Sequence, residues 1–286
     1  MHILKGYTKQ EISWMMYDWA NSAHSVIIVT LLPIFFDTVA GYTADSVSSM
    51  STWGYATSIA MLIVALAAPF LGVFGDIRGM RKKLFSFFML LGVAACAGMA
   101  FTPGMDFTSG PVAAGKVASL ILVLYIVSVI GFDASAIYYD AFLTDVTIED
   151  RMDKVSTMGY GLGYIGGSTI PLLIFLIMNL VGVPMLTCLA FVFGLTAVWW
   201  LAFSLPLLKN CEQTSGKPYE KGDVARSIKG VGTTIKEIVA NKPMLIYILS
   251  YFFYIDGVHT VISMATTYGT NLGLDSTGMM LALLLV

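Results

Sequence analysis

Long apolar stretches alternate with short polar ones from end to end of this 286-residue chain. A helix that crosses hydrocarbon takes about 20 mostly apolar residues. On that measure the pattern predicts seven full spans, near 12–38, 51–75, 84–103, 117–143, 157–181, 184–206 and 243–267, with an eighth beginning near 276. From 276 to 286 the rise is about 16 Å, roughly half a hydrocarbon core. The expectation is therefore that the chain is the N-terminal part of something longer. Composition agrees with the pattern. The chain is 57% hydrophobic and 12% charged, with a mean hydropathy of +0.79, where soluble domains carry about 25% charged residues. The fold class is an all-α polytopic membrane protein, and the lipid bilayer is its surroundings. The apolar run after Lys5 and Lys9 is too long for a cleaved signal and lacks a small-x-small cleavage site. A net charge of −2 gives no reason to expect a nucleic-acid partner. Cys96, Cys188 and Cys211 show neither metal nor disulfide spacing, so no metal and no cofactor are expected.

Charge fixes an orientation. With the N-terminus inside, the tail before the first span, the turns at 78–83 and 151–154 and the segment 207–242 hold fifteen of the sixteen Lys and Arg residues; only Lys116 falls outside. That bias predicts a multi-pass protein of the cell membrane with a cytoplasmic N-terminus. The same segmentation gives three units: a six-helix bundle over 1–206, a central cytoplasmic loop over 207–242, and the start of a second bundle over 243–286. Within the loop, Val224, Ile228, Val231, Ile235 and Ile238 recur at helical spacing, with Arg226, Lys229 and Lys236 off that stripe. Asp223 is an N-cap residue by type, and Pro243 suits the first turn of the next helix. An amphipathic helix here either lies on the inner membrane surface or packs on the protein.

Polar residues inside the spans carry the candidate chemistry. Asp18, Asn21, Ser22 and Ser25 stand at i, i+3, i+4 and i+7, one face of the first span. Such a stripe faces either a cavity or a hydrogen-bonded seam between helices, because hydrocarbon cannot solvate it. The run Asn21-Ser-Ala-His24-Ser-Val-Ile27 is repeated, offset by 235 residues, as Asp256-Gly-Val-His259-Thr-Val-Ile262. The seventh span thus resembles the first, as two equivalent halves lining one path require. Asp133 and Asp140 lie seven residues apart on the fourth span, with Asp140 near its basic end, within reach of Arg78 or Arg81. The charges deep in the spans are all acidic, and each costs about 2.5–3.5 kcal/mol at the bilayer centre. A proton or a cationic ligand relieves that cost. The expected substrate- or proton-binding set is Asp18, Asn21, His24, Asp133, Asp256 and His259.

Between the second and third spans the chain reads Gly72-Val-Phe-Gly-Asp76-Ile-Arg78-Gly79-Met-Arg81-Lys82-Lys83. This resembles the G-x-x-x-D-R-x-G-R-R signature of the major facilitator superfamily, except that Ile77 and Met80 stand where basic residues are usual. The resemblance implies an inner gate built on Gly72, Asp76, Arg78, Gly79 and Arg81, with Gly72 allowing close helix approach and Gly79 a tight turn. Further stretches, YDWANSA at 17–23, PFLGVFGD at 69–76, YYDAFLTD at 138–145, MGYGLGYIGG at 158–167 and DGVHTVI at 256–262, are similar to the family named for the vacuolar amino-acid effluxer of autophagy. That resemblance implies twelve helices, a monomer, and alternating-access transport of a small-molecule substrate such as an amino acid, with proton coupling and efflux. The glycines at 159–167 read as a helix-packing face rather than an antiport motif. No G-x-x-x-x-G-K-[ST] loop exists to support ATP-driven transport. The alternatives are a membrane-embedded enzyme using His24 and His259, against which stands the lack of an H-E-x-x-H or nucleophile motif, and an inactive fragment of a transporter.

Overall fold

The computed structural model describes residues 4–43, 46–218 and 223–275, together with 278, 279 and 282. Among these, seven helices are long and apolar enough to cross a membrane. They are α1 (Lys9–Ala40), α2 (Ser46–Gly75), α3 (Arg81–Met99), α4 (Pro111–Val146), the composite of α5 (Glu149–Leu162) and α6 (Thr169–Leu180), α7 (Met185–Asn210) and α9 (Lys242–Asn271); α8 (Asp223–Ala240) is the loop helix. Every full span expected from the apolar pattern is present, and most run several residues further, because polar end turns continue the helical hydrogen-bonding beyond the hydrocarbon. The stretch expected to begin an eighth span lies almost wholly outside the described residues, as does the N-capping expected of Asp223.

Local rules set the ends. α1 opens with a capping box: Glu11 N donates to Thr8 Oγ1 at 3.1 Å and Thr8 N to Glu11 Oε2 at 2.7 Å, satisfying two of the orphan amides of a first turn. Asn241 Oδ1 accepts from Met244 N at 3.3 Å, with Pro243 in the first turn of α9. The fifth span departs from expectation. It is not one regular α-helix but passes through a π-helical segment, Gly163–Ser168, between α5 and α6.

Helix α1 runs through the centre. Its Tyr17, Ala20, Ala23, Leu31 and Phe35 are fully buried, and it belongs to both apolar clusters of the bundle. Glycines let backbones meet. A Cβ at Gly131 of α4 would stand 2.8 Å from Phe88 O of α3. Cβ atoms at Gly163 and Gly167 would stand 2.6 Å from Ser22 Oγ and 2.5 Å from Trp19 O of α1. The glycine-rich stretch is a packing face against α1, as small residues in membrane helices allow. At the end of the bundle that carries the basic residues, Arg151 Nε and Nη2 both donate to the buried Glu11 carboxylate at 2.8 Å, and Thr147 Oγ1 donates at 2.7 Å. This ties the start of α1 to the α4–α5 connection.

The seventh span, α9, is attached lightly. Thr266 Oγ1 donates to Val29 O at 2.8 Å, and Thr266, Thr267 and Gly269 are buried, while most of its other side chains are exposed. Helix α8 touches α2 and α9. Val231 and Ile238 of its apolar stripe are partly covered and Ile235 is exposed.

Candidate functional site

The polar stripe of α1 lines a cavity. Asp18, Asn21, Ser22 and Ser25 face a space of about 650 Å³, closed by Phe132 of α4, Tyr160 of α5, Tyr164 and Ser168 of the π segment, Thr169 of α6, and Val261, Ile262 and Ala265 of α9. That volume falls within the range of small-ligand sites, roughly 300–1,000 Å³. One side of the cavity is polar, from α1 and the π segment; the other is apolar, from α4 and α9. Among the described residues, Asp18 is the acidic residue in the lining and no basic residue joins it.

Asp18 is placed by its neighbours. Its Oδ2 accepts from the Tyr139 hydroxyl at 2.8 Å. Tyr139 is itself fixed by stacking on Trp14 at a ring-centroid distance of 4.3 Å, and Trp14 Nε1 donates to Tyr139 O at 2.9 Å. Gly159 of α5 passes so near that a Cβ there would stand 2.5 Å from Asp18 Oδ2. Ser168 Oγ donates to Ser22 O at 3.3 Å. The π segment also turns Tyr164 toward the cavity, its O accepting from Thr169 Oγ1 at 2.9 Å; π segments of this kind recur at functional sites.

The remaining expected residues scatter. His24 lies on another face of α1, 2% exposed, stacked on Phe132 at 4.9 Å and tilted against Trp200 at 5.0 Å. Neither of its ring nitrogens has a partner among the described residues. Asp133, partly buried on α4, has no hydrogen-bond or ionic partner among them and is not in the cavity wall. Asp256 and His259 are exposed on α9; that helix reaches the cavity through Val261, Ile262 and Ala265 instead. The structure therefore brings Asp18 and Asn21 together and leaves His24, Asp133, Asp256 and His259 apart from them. Sequence reasoning missed Tyr139, Tyr160 and Tyr164. Their signal was amphipathic tyrosines at helical spacing in YYDAFLTD and MGYGLGYIGG.

The signature at the α2–α3 turn forms a second polar centre. Gly79 adopts φ +80°, the left-handed turn expected of it. Two expectations are corrected here. Arg81 pairs with Asp145, not with Asp140, because Asp145 lies more than a turn nearer the end of α4, level with the start of α3. A Cβ at Gly72 would meet nothing within 4 Å, whereas one at Gly75 would stand 3.0 Å from the Tyr138 ring; the close approach falls three residues later. Asp76 has a side chain 84% exposed and 3.9 Å from Arg81 Nη2. The segment 211–217, beyond α7, straps this centre. Asp145 Oδ1 accepts from the backbone and hydroxyl groups of Thr214 and Ser215 at 2.8 to 3.1 Å. Gln213 Oε1 accepts from Gly79 N at 2.8 Å, and its Nε2 donates to Gly75 O at 3.0 Å. A backbone pair, Arg78 N to Lys217 O at 3.0 Å and Lys217 N to Asp76 O at 3.1 Å, completes the strap.

Fold and cavity together define a helical multi-pass membrane protein with a polar-lined central cavity. Among solved structures, a D-xylose-proton symporter superposes with a TM-score of 0.59 over 97% of this chain and 65% of that one, at 14% identity. The family model described as vacuole effluxer Atg22 like matches residues 42–286, and the chain belongs to that family. An uncharacterized MFS-type transporter, YxiO of Bacillus subtilis, is 39% identical over 289 residues, spanning 98% of this chain and 65% of the relative. Autophagy-related protein 22-1 of Penicillium rubens is 26% identical over 136 residues, 44% of this chain and 23% of that one. The chain thus spans less than two thirds of the length of these relatives. Of the two histidines of the repeat, His24 is sealed between aromatic rings and His259 stands exposed on another helix.

Proposed function

We propose that this chain forms the solute path of a secondary transporter working by alternating access, with amino acids as its substrates and a proton as its coupling ion. The observation that carries the reading is the central cavity, in which one carboxylate, Asp18, faces hydroxyl and amide groups on one side and an apolar wall on the other. A zwitterion with an apolar side chain fits that asymmetry: its ammonium group pairs with Asp18, its polar end meets Asn21 and Ser22, and its side chain lies on Val261 and Ile262. Asp18 is equally placed to hold the proton when the site is empty. Asp133, His24, Asp256 and His259 are assigned supporting roles in conformations where α9 and α1 close on each other. Arg81, with Asp145, forms the gate at the basic end, together with Gly72, Asp76, Arg78 and Gly79. In this reading 1–206 is one half, 207–242 the connector and 243–286 the start of the other half. The N-terminus is cytoplasmic and the protein is a monomer in the cell membrane.

Uptake of radiolabelled amino acids into proteoliposomes under an imposed pH gradient tests the reading. The wild-type protein accumulates substrate and loses accumulation when the gradient is collapsed. Asp18→Asn lowers uptake by on the order of 10²-fold, the effect of removing a charge partner worth about 3 kcal/mol. Wild-type accumulation by Asp18→Asn would remove Asp18 from the path.

A further inference from the structure

At the basic end, apart from the central cavity and beside the Arg81–Asp145 pair, a second hollow of about 530 Å³ opens between the α2–α3 turn, the start of α3 and the end of α7, with Gly79 and Gln213 of the strapped turn in its wall. Arg78, Lys82 and Lys83 line it, Ser86 adds a hydroxyl one turn along α3, and Glu212 is the one carboxylate in its wall. None of these three cations forms an ion pair among the described residues; the neighbouring carboxylates of Asp145 and Asp76 are engaged by Arg81 instead. Lys82 and Lys83 stand in the first turn of a membrane span, Arg81–Gly104, so their ammonium groups meet the water–membrane boundary. Phe87 lies four residues after Lys83, and Leu90 three beyond that, all on one face of α3. Phe87 is 60% and Leu90 49% exposed. The surface therefore passes from a hollow of unpaired positive charge directly onto an apolar strip that points into hydrocarbon.

We propose that this hollow binds the phosphate-bearing headgroup of an anionic phospholipid, whose acyl chain lies along Phe87 and Leu90. The phosphate oxygens accept charge-assisted hydrogen bonds from the two ammonium groups and the guanidinium. A free phosphate ion offers the same oxygens but leaves Phe87 and Leu90 without a partner, so the strip selects the lipid. Basic hollows between helices at the membrane edge are the known form of such sites.

The test uses the purified protein in neutral detergent, titrated separately with phosphatidylglycerol, phosphatidylcholine and inorganic phosphate. Thermal unfolding midpoints are measured, and retained lipid is counted by native mass spectrometry. Phosphatidylglycerol raises the midpoint and is retained in preference to phosphatidylcholine. Lys82→Gln with Lys83→Gln weakens that preference by about 25-fold, a fivefold factor for each cation. Lys82→Arg with Lys83→Arg preserves it, and so does Lys116→Gln at the opposite end of the bundle. Should the double variant fail to fold, Lys83→Gln alone, at an exposed position, carries the test with a loss of about fivefold. Equal response to the two lipids in the wild type overturns the proposal, as does an undiminished preference in the Lys→Gln variants. Inorganic phosphate that stabilises as well as phosphatidylglycerol, with the same dependence on Lys83, would make this a soluble-anion site and overturn the lipid assignment.

Discussion

At the scale of single residues, Asp18 and His24 show how one polar stretch divides its duties. They lie six positions apart, so a helix turns them through about 600°, or 240° net, onto different faces. Asp18 meets the cavity and Tyr139; His24 enters the aromatic packing of Phe132 and Trp200. A buried polar group without a partner costs about 1–3 kcal/mol, so an aromatic ring without nitrogens should serve better as a wall. His24→Phe is expected to fold, insert and raise the thermal midpoint slightly, by the equivalent of about 1 kcal/mol. A fall of several degrees would show instead that the imidazole holds a bond the bundle needs. The stripe Asp18, Asn21, Ser22 and Ser25 was legible in the sequence because i, i+3, i+4 and i+7 define a face without reference to anything else. His24 was not, because its repeat match with His259 records a sequence equivalence and says nothing of which neighbour each ring meets.

At the scale of elements, the fifth span is the instructive one. Its glycines were legible as a packing face, and the contacts with Trp19 and Ser22 explain them. Its π segment was not legible, since GYIGGS at 163–168 carries only Tyr164 and Ile165 as large apolar side chains, too few to reveal the added rotation. Gly163→Leu is expected to insert its side chain into the Ser22 hydroxyl and the α1 backbone. Overpacking of this kind typically costs about 1–3 kcal/mol, read as a lowered thermal midpoint, and it also narrows the cavity that the π segment borders. Gly161→Leu is the control on the same helix, because a Cβ there meets nothing within 4 Å. If both variants melt alike, the close approach of α1 and the π segment is not what the glycines serve. The strap over 211–217 was invisible for a different reason: CEQTSGK reads as a polar turn, and only the fold reveals that its amides and hydroxyls terminate on Asp145 and the α2–α3 turn.

At the scale of the whole molecule, span number and placement followed from hydropathy alone, because bilayer thickness fixes helix length whatever the helices pack against. Pairing between helices did not, being decided by side-chain shape. The proposed orientation is open to cysteine labelling. A cysteine at Thr108 should react with an impermeant maleimide from outside intact cells, and one at Lys217 only after permeabilisation; the reverse pattern overturns the assignment. Native Cys211 should not interfere. It is fully buried, with Sγ 3.6 Å from Gln10 O, and burial pushes its thiol up to about 12. The thiolate is the reactive form. Labelling of Cys211 in the folded protein should therefore be negligible at pH 7 and rise only as the pH climbs toward that value, whereas the unfolded protein should label readily.

The strap also sets a length. Because residues 211–217 are fastened to the α2–α3 turn and to α4, the chain length available before α8 is counted from Lys217 and not from the end of α7. That length begins at Pro218 and ends at Asp223, where α8 starts. Five residues, 218–222, remain between them, and fully extended they reach about 17 Å. Helix α8 and the membrane helix that follows it are thus on a short leash. The start of α8 therefore lies within that reach of the strapped segment at the basic end of the first bundle. Lengthening the leash by inserting Gly-Ser residues after Pro218 would slacken that mechanical link without touching the cavity or the gate.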